Sequence, residues 1–298
     1  GHIGSKLLEK LNRINKIKKV YIIDDESSGS INTLFNLKHK KISFFFIKGN
    51  LLSSKILNGV KDKIHIIIHL ASITNAEDSF RAKNLVYKNN YGIFKNVCNF
   101  CVKKKSKLIH LSSTSVYGVQ SNIVDENCKT LKPQSPYADV KILEEKFLKN
   151  KKKINYITLR FGTIAGPSKG MKFHTAVNKF CLKTILGEKI PVWNQAINQY
   201  RPYLSLNDAV RAIIFIINKN LFDKNTYNIV TKNYTVKQIL LLIKKNNFKF
   251  NIKMVKSPIL NQNSYKVSRK KFEKYKFVFS KNINNEIKKT LNLLKFLY

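Results

Sequence analysis

Short apolar stretches rich in Ile, Val, Phe and Leu alternate along this chain with longer segments of helical period. Val20–Ile23, Ile42–Ile47, Ile64–Leu70, Leu108–Ser112 and Tyr156–Arg160 read as strands. Their apolar positions are continuous rather than alternating, the pattern of strands covered on both faces in a parallel sheet. Ser5–Asn15, Leu85–Lys104 and Tyr137–Leu148 read as helices between them. This order predicts βαβ units and a doubly wound α/β domain. Beyond Arg160 the pattern loosens, with turns marked by Gly162, Gly166-Pro167, Gly170 and Gly187. Further helices are expected at Thr175–Leu186, Asn207–Asn218 and Thr235–Lys245. No repeat or low-complexity linker interrupts the chain, so a second lobe should pack directly on the first.

Composition narrows the class. With 298 residues and 43% apolar side chains, the chain can bury one large core or two modest ones. The excess of 56 basic over 17 acidic residues, +39 in all, raises a polyanionic partner such as nucleic acid or a membrane surface. Against this, 50 of the 56 are Lys, scattered along the whole chain. Together with abundant Asn and Ile they fit a solvated surface shaped by AT-rich codon use rather than a dedicated groove. The four cysteines (Cys98, Cys101, Cys128, Cys181) are too few for a disulfide framework, so a reducing compartment is expected. Cys98 and Cys101 have C-x-x-C spacing but fall within a helix, with no second pair. No apolar run reaches the length of a membrane span, and no signal peptide is visible, although the chain starts at Gly1 rather than Met. The six histidines show no metal-ligand spacing, and no metal is expected.

Two regions carry candidate chemistry. Gly1-His2-Ile3-Gly4 opens a helix, where glycines let backbone amides approach a pyrophosphate and the helix dipole favours the anion. Asp24 follows the strand Val20–Ile23, 20 residues after Gly4, the spacing at which a carboxylate meets ribose hydroxyls. A carboxylate there repels a 2′-phosphate, so NAD is favoured over NADP. A dinucleotide fingerprint also needs a strand before its glycines. The expectation is therefore that the first strand and first glycine lie outside this sequence, and that the chain without them is poorly stable and binds NAD weakly.

The second region is Leu111-Ser-Ser-Thr-Ser-Val-Tyr-Gly118 followed by Ser135-Pro-Tyr-Ala-Asp-Val-Lys141. Tyr137 and Lys141 are four apart and share one helix face. An ammonium beside a phenol stabilises phenolate, lowers its pKa and makes Tyr a usable acid/base. Ser113, at the C-terminal end of a parallel strand, lies where such sheets bind ligands and can orient a reacting alcohol. Tyr-x-x-x-Lys alone is common in a Lys-rich chain; the upstream Ser113 and Pro136 at the helix start raise its weight.

With these motifs the chain resembles the extended short-chain dehydrogenases/reductases, the group of nucleotide-sugar epimerases and dehydratases. Gly-His-Ile-Gly-Ser5 is similar to the end of that family's glycine loop, and Ile23-Asp-Asp-Glu-Ser-Ser-Gly29 to its ribose-binding strand end. Lys48-Gly-Asn-Leu51 resembles the adenine-side motif, with Asn50 where Asp is usual. His69-Leu-Ala71, Asn89-Asn-Tyr-Gly92, Leu159-Arg-Phe-Gly-Thr-Ile-Ala-Gly-Pro167 and Tyr200-Arg-Pro-Tyr203 with Asn207-Asp208 extend the match from end to end. The ordered set is specific where each motif alone is weak.

The resemblance implies a Rossmann-type doubly wound parallel sheet, its first strand missing, with a smaller C-terminal substrate lobe. Residues 1–162 would bind NAD, with return segments from 203–232, and 163–298 would mainly form the substrate lobe. It implies an epimerase working through a 4-keto sugar, with a 4-ketoreductase as the alternative and a silent NAD- or nucleic-acid-binding protein as the non-enzymatic one. Tyr137 would take the sugar hydroxyl proton, Lys141 would bind the nicotinamide ribose and tune Tyr137, and Ser113 would bond the reacting oxygen. NAD would be lined by Gly1, His2, Ile3, Gly4, Asp24, Asn50, Leu51, Leu70, Ala71, Asn89, Ser112, Tyr137 and Lys141. The nucleotide-diphosphate sugar would meet Ser113, Thr163, Asn178, Trp193 and Arg201, the last facing the diphosphate. A cytoplasmic homodimer in polysaccharide or sugar-nucleotide metabolism is the implied setting. Thr114 and Ser115 stand where the related dehydratases carry acidic residues, which argues against dehydration. Thr163 and Pro202 replace the Asn and Asp usual in UDP-sugar epimerases, leaving the sugar and nucleotide open.

Overall fold

The computed structural model describes residues 1–11, 14, 16–27, 31–35, 37, 39, 41–76, 78–256 and 264–297. Its first half runs α1 (His2–Lys10), β1 (Lys19–Asp24), β2 (Ser43–Lys48), α2 (Ser54–Asn58), β3 (Ile66–His69), α3 (Asp78–Arg81) and α4 (Lys83–Val86). A π-helical turn, Tyr87–Tyr91, leads into α5 (Gly92–Lys104), then β4 (Lys107–Ser113), β5 (Ile123–Val124), α6 (Pro136–Lys149) and β6 (Asn155–Phe161). Each predicted strand is present within two residues of its expected ends. The helix expected at Leu85–Lys104 is present, helical from Lys83 to Lys104, with a π turn at Tyr87–Tyr91 where one extra residue is accommodated in the ladder. The helix expected at Ser5–Asn15 starts three residues earlier and ends at Lys10, and Asn15 lies outside the described residues.

The second half comprises β7 (Thr163–Ala165), α7 (Ala176–Ile185), β8 (Ile190–Trp193), β9 (Tyr200–Ser205), α8 (Leu206–Lys219), β10 (Thr226–Ile229) and β11 (Lys232–Thr235). It ends with α9 (Val236–Lys245), β12 (Ile252–Val255), β13 (Lys266–Val267), α10 (Lys270–Glu273) and α11 (Asn284–Leu294). The three helices expected here are present. Thr235 caps α9 through a reciprocal box with Gln238, each side chain accepting the other residue's amide.

The central sheet is parallel, in the order β10-β6-β4-β3, and β1 pairs with β2 in a separate parallel ribbon. β4 and β6 are covered on both faces, as their continuous apolar runs predict. At the margin the rule relaxes: Phe45 and Phe46 of β2 are 40% and 38% exposed. Val20 and Ile22 of β1 and Ile66 and Ile68 of β3 rest on one core with Leu7 and Leu8 of α1. That same core takes in α8 and the aromatic trio Phe272, Phe277 and Phe279, so the chain returns to the first layer after building the second lobe. The second core joins α7, α9 and α11 to β8 and β9. Cys98 and Cys101 are free thiols buried on α5; burial pushes Cys101 up to about 12 and Cys98 higher, so neither is a nucleophile at neutral pH.

Candidate active site

Parallel strands all end at one edge of their sheet, and the candidate residues collect there. Ser113 is the last residue of β4; it pairs with Phe161 of β6 and still has extended backbone. The chain then tightens into a 3-10 turn, Thr114–Tyr117, capped by Ser113 itself. Its Oγ accepts from the Ser115 amide at 3.2 Å and from the Ser115 hydroxyl at 2.9 Å. Gly118 closes the turn at φ +60, and a Cβ there would lie 1.7 Å from the Lys132 carbonyl oxygen, so only glycine fits.

Pro136 begins α6 and Ser135 caps it, its Oγ accepting from the Ala138 amide at 3.2 Å. That fixes Tyr137 in the first turn and Lys141 one turn on. The Ser113 hydroxyl is close enough to the Tyr137 phenol to pull it downward, and the Lys141 Nζ lies 5.7 Å from the Tyr137 ring centroid. The structure therefore unites Ser113, Tyr137 and Lys141 in one group.

The electrostatics correct one expectation. Lys141 does pull the Tyr137 phenol downward, and so does the nearby Ser113 hydroxyl. Burial is stronger, and with the nearby Glu144 carboxylate it leaves Tyr137 above the usual phenol value. Lys141 is itself 2% exposed; burial alone would lower it, but Glu144 more than reverses that and it stays protonated.

Two adjacent glutamates behind this group escaped the sequence reading. The Glu145 carboxylate accepts from Arg160 Nε at 2.9 Å, Arg160 Nη2 at 2.6 Å and Ser112 Oγ at 2.6 Å, all buried. Glu144 Oε2 accepts from Lys141 Nζ at 2.8 Å and meets His110 Nε2 at 2.9 Å. An acidic pair on a helix face that otherwise looks to the core was the available signal. Ser112, expected beside the cofactor, thus spends its hydroxyl on Glu145.

At the other end of the sheet edge, α1 begins with Gly1 as N-cap and no side-chain cap, leaving its first amides without side-chain acceptors. Among the described residues, nothing beyond its own neighbours in the chain lies within 4 Å of where a Gly1 Cβ would be. The Asp24 carboxylate ends β1 and lies 3.9 Å from the Gly1 nitrogen, and Gly4 abuts Leu70 beyond the end of β3. Ser28 and Gly29 of the ribose-side motif lie outside the described residues. Asn50 Oδ1 accepts from the Leu52 amide at 2.8 Å, and buried Leu51 offers its carbonyl to Asn96. In the π turn Asn90, not Asn89, is the buried residue: it accepts from the Ile73 amide at 2.8 Å and donates to the Ile73 carbonyl at 2.9 Å, holding the loop after β3. Asn89 donates to Asn90 at 3.2 Å. An uncapped helix start, a strand-end carboxylate and a Tyr–Lys pair along one edge fit a dinucleotide.

The substrate-side candidates are more dispersed. Thr163 opens β7 opposite Tyr203, and Trp193 ends β8 against the second core. The Arg201 guanidinium lies 5.2 Å from the Tyr265 ring centroid. Asn178 is fully buried and committed to a loop: it accepts from the Gly166 amide at 3.1 Å and donates to the Lys172 carbonyl at 3.1 Å. That loop reaches α1, where Ser168 bonds the His2 ring at 2.8 Å and the Gly170 amide donates to Ser5 Oγ at 3.1 Å. Among the described residues no group of His, Cys, Asp and Glu could hold a metal ion, and no helix is long and apolar enough to cross a membrane.

The chain is similar to known proteins in sequence and in fold. The chain is 29% identical over 251 residues to a dTDP-D-glucose 4,6-dehydratase of Dictyostelium discoideum, covering 78% of this chain and 56% of that one. It is 27% identical over 218 residues to an ADP-L-glycero-D-manno-heptose-6-epimerase of Brachyspira hyodysenteriae, covering 70% and 67%. The fold matches a UDP-N-acetylglucosamine 4-epimerase from Methanobrevibacter ruminantium with TM-score 0.85 and 24% identity, over 100% of this chain and 95% of that one. It also matches a UDP-glucuronic acid 4-epimerase from Bacillus cereus, solved with UDP-glucuronic acid and NAD, with TM-score 0.87 and 22% identity over 100% and 97%. The model of the NAD dependent epimerase/dehydratase family matches residues 1–230. On its fold, its Ser–Tyr–Lys group and this match, the chain belongs to the NAD dependent epimerase/dehydratase family.

Proposed function

We propose that this chain is an NAD-dependent epimerase of a nucleotide-diphosphate sugar, working through a 4-keto intermediate. The observation that carries the reading is the meeting of Ser113, Tyr137 and Lys141 at the C-terminal edge of the parallel sheet. Bound NAD supplies the hydride acceptor and then the donor. Tyr137 takes the proton from the sugar C4 hydroxyl as the C4 hydride leaves, and returns it when hydride comes back to the other face. Ser113 hydrogen-bonds the reacting oxygen and keeps it against Tyr137. Lys141 stabilises the phenolate form and meets the nicotinamide ribose.

The helix amides at His2, Ile3 and Gly4, with Gly1 before them, would take the pyrophosphate, and Asp24 the adenosine ribose. Asn50 and Leu51 would border adenine, with Leu70, Ala71, Asn89 and Ser112 along the cofactor. Thr163, Asn178, Trp193 and Arg201 would border the sugar nucleotide. Residues 1–162 with 203–232 form the cofactor unit in this reading and 163–298 mainly the substrate lobe. A cytoplasmic homodimer is the assembly we infer from the family resemblance. Epimerisation is favoured over dehydration because elimination needs an extra acid and base beside the reacting centre. Thr114 and Ser115 supply neither. The buried Glu144 and Glu145 are held by Lys141, His110 and Arg160.

The test is a screen of UDP-, GDP-, CDP- and dTDP-sugars with NAD, reading products by mass and NMR. We expect a stereoisomer of unchanged mass and no net redox, and Tyr137→Phe should abolish turnover while sparing NAD binding. Loss of water would give a dehydratase, and stoichiometric use of reduced cofactor a 4-ketoreductase. Turnover that survives Tyr137→Phe would overturn the mechanism.

A further inference from the structure

We propose that Glu144 is a positioning residue of this site, whose carboxylate holds the Lys141 ammonium from behind and sets how much of its charge reaches Tyr137. The inference rests on the reading of Ser113, Tyr137 and Lys141 as the reacting group, and it adds a component that the mechanism above does not use.

Three observations carry it. Glu144 is fully buried, and a single oxygen, Oε2, serves both Lys141 Nζ at 2.8 Å and His110 Nε2 at 2.9 Å. Its other oxygen, Oε1, is buried with no partner among the described residues, and its engaged oxygen is aimed at Lys141 and His110. His110 is in turn anchored, its Nδ1 3.2 Å from the Thr158 hydroxyl on β6, so the carboxylate rests against the sheet while it grips Lys141. A charge held at this depth costs a great deal unless a partner compensates it. Glu144 is that partner for Lys141, which is 2% exposed.

The groups facing this cluster are few. β4 contributes His110 and Ser113, β3 contributes His69, and α5 brings Cys98 near Glu144. On α6 itself Glu145 also faces Lys141, but Arg160 from β6 neutralises it. Burial pushes the Glu144 carboxyl up, and Lys141 with the His110 hydrogen bond more than reverses this and holds it at about 2, so it stays ionised at neutral pH. Its negative charge therefore opposes the help that Lys141 gives the phenolate. Glu144 keeps Lys141 charged and placed, and the same charge adds to burial in raising the Tyr137 phenol.

Glu144→Gln tests this, because the amide keeps hydrogen-bonding positions toward Lys141 and His110 but removes the charge that holds Lys141 protonated. The measurement is the titration of Tyr137 by NMR of tyrosine labelled at the ring Cζ, assigned with Tyr137→Phe. Without its carboxylate partner the buried Lys141 loses charge, and its pull on Tyr137 outweighs the push of Glu144, so the Tyr137 signal should titrate roughly one pH unit higher in Glu144→Gln than in the unaltered chain. Glu144→Asp, which withdraws the charge from Lys141 by one methylene, should move it the same way by less, and it decides the question if the Gln variant does not fold. An unmoved Tyr137 titration overturns the proposal. Because this readout needs no turnover, failure to find a sugar substrate would count against the proposed function and leave this result standing. Where a substrate is found, the acid limb of kcat/KM should shift in the same direction as the Tyr137 signal.

Discussion

Lys141, Glu144 and Glu145 lie on the buried face of one helix, and each is tolerated because another charge answers it. Such groups give stability a pH dependence whose sign follows from their shifts. Burial lowers His69 from 6.5 to about 3 and His2 to about 4, so both fold as neutral rings. A group depressed in the folded state contributes fully above its unfolded pKa and loses that contribution as pH falls through the folded one. Stability should therefore begin to decline below about pH 6.5 as His2 and His69 are driven to charge. A second decline should run from about 4.5 toward 2 as Glu144 is protonated. Denaturant midpoints measured across pH check this. His69→Phe, placed beside Phe94, should flatten the upper part of the curve; an unchanged slope would remove His69 from the account. Gly118→Ala should cost roughly 1–3 kcal/mol from backbone strain, with the clash against Lys132 added. Thermal melting reads that loss.

Among the elements, β1 and β2 form a parallel ribbon and β10, β6, β4 and β3 a separate sheet, and side chains of α1, β1 and β3 share one core. The π turn at Tyr87–Tyr91 belongs to the same scale. Periodicity alone predicted one helix over Leu85–Lys104, and the backbone is helical throughout, but the shift of register at the π turn was not foreseen. The need to bury Asn90 against the Ile73 backbone is a tertiary demand that no local pattern announces.

For the molecule as a whole, the +39 charge proved a poor guide to the site. The informative cations are Lys141 and Arg160, both buried and both paired with glutamates. The scattered surface lysines carry little information about the chemistry. Local and periodic information sufficed for the order of strands and helices, for the cap at Ser135 and for the placing of Tyr137 and Lys141 on one helix face. These depend on neighbours a few residues away, and side-chain period and capping chemistry encode them directly. The sequence also located Ser113, because a strand end followed by small polar residues is a local pattern. It did not disclose that Ser112 and Asn178 are occupied by Glu145 and the Gly166 loop, nor that Tyr137 lies above the usual phenol value. Those outcomes depend on burial and on partners tens of residues distant, such as Arg160 against Glu145 and His110 against Glu144. Burial and distant pairing are properties of the packed molecule, and only the tertiary structure decides them.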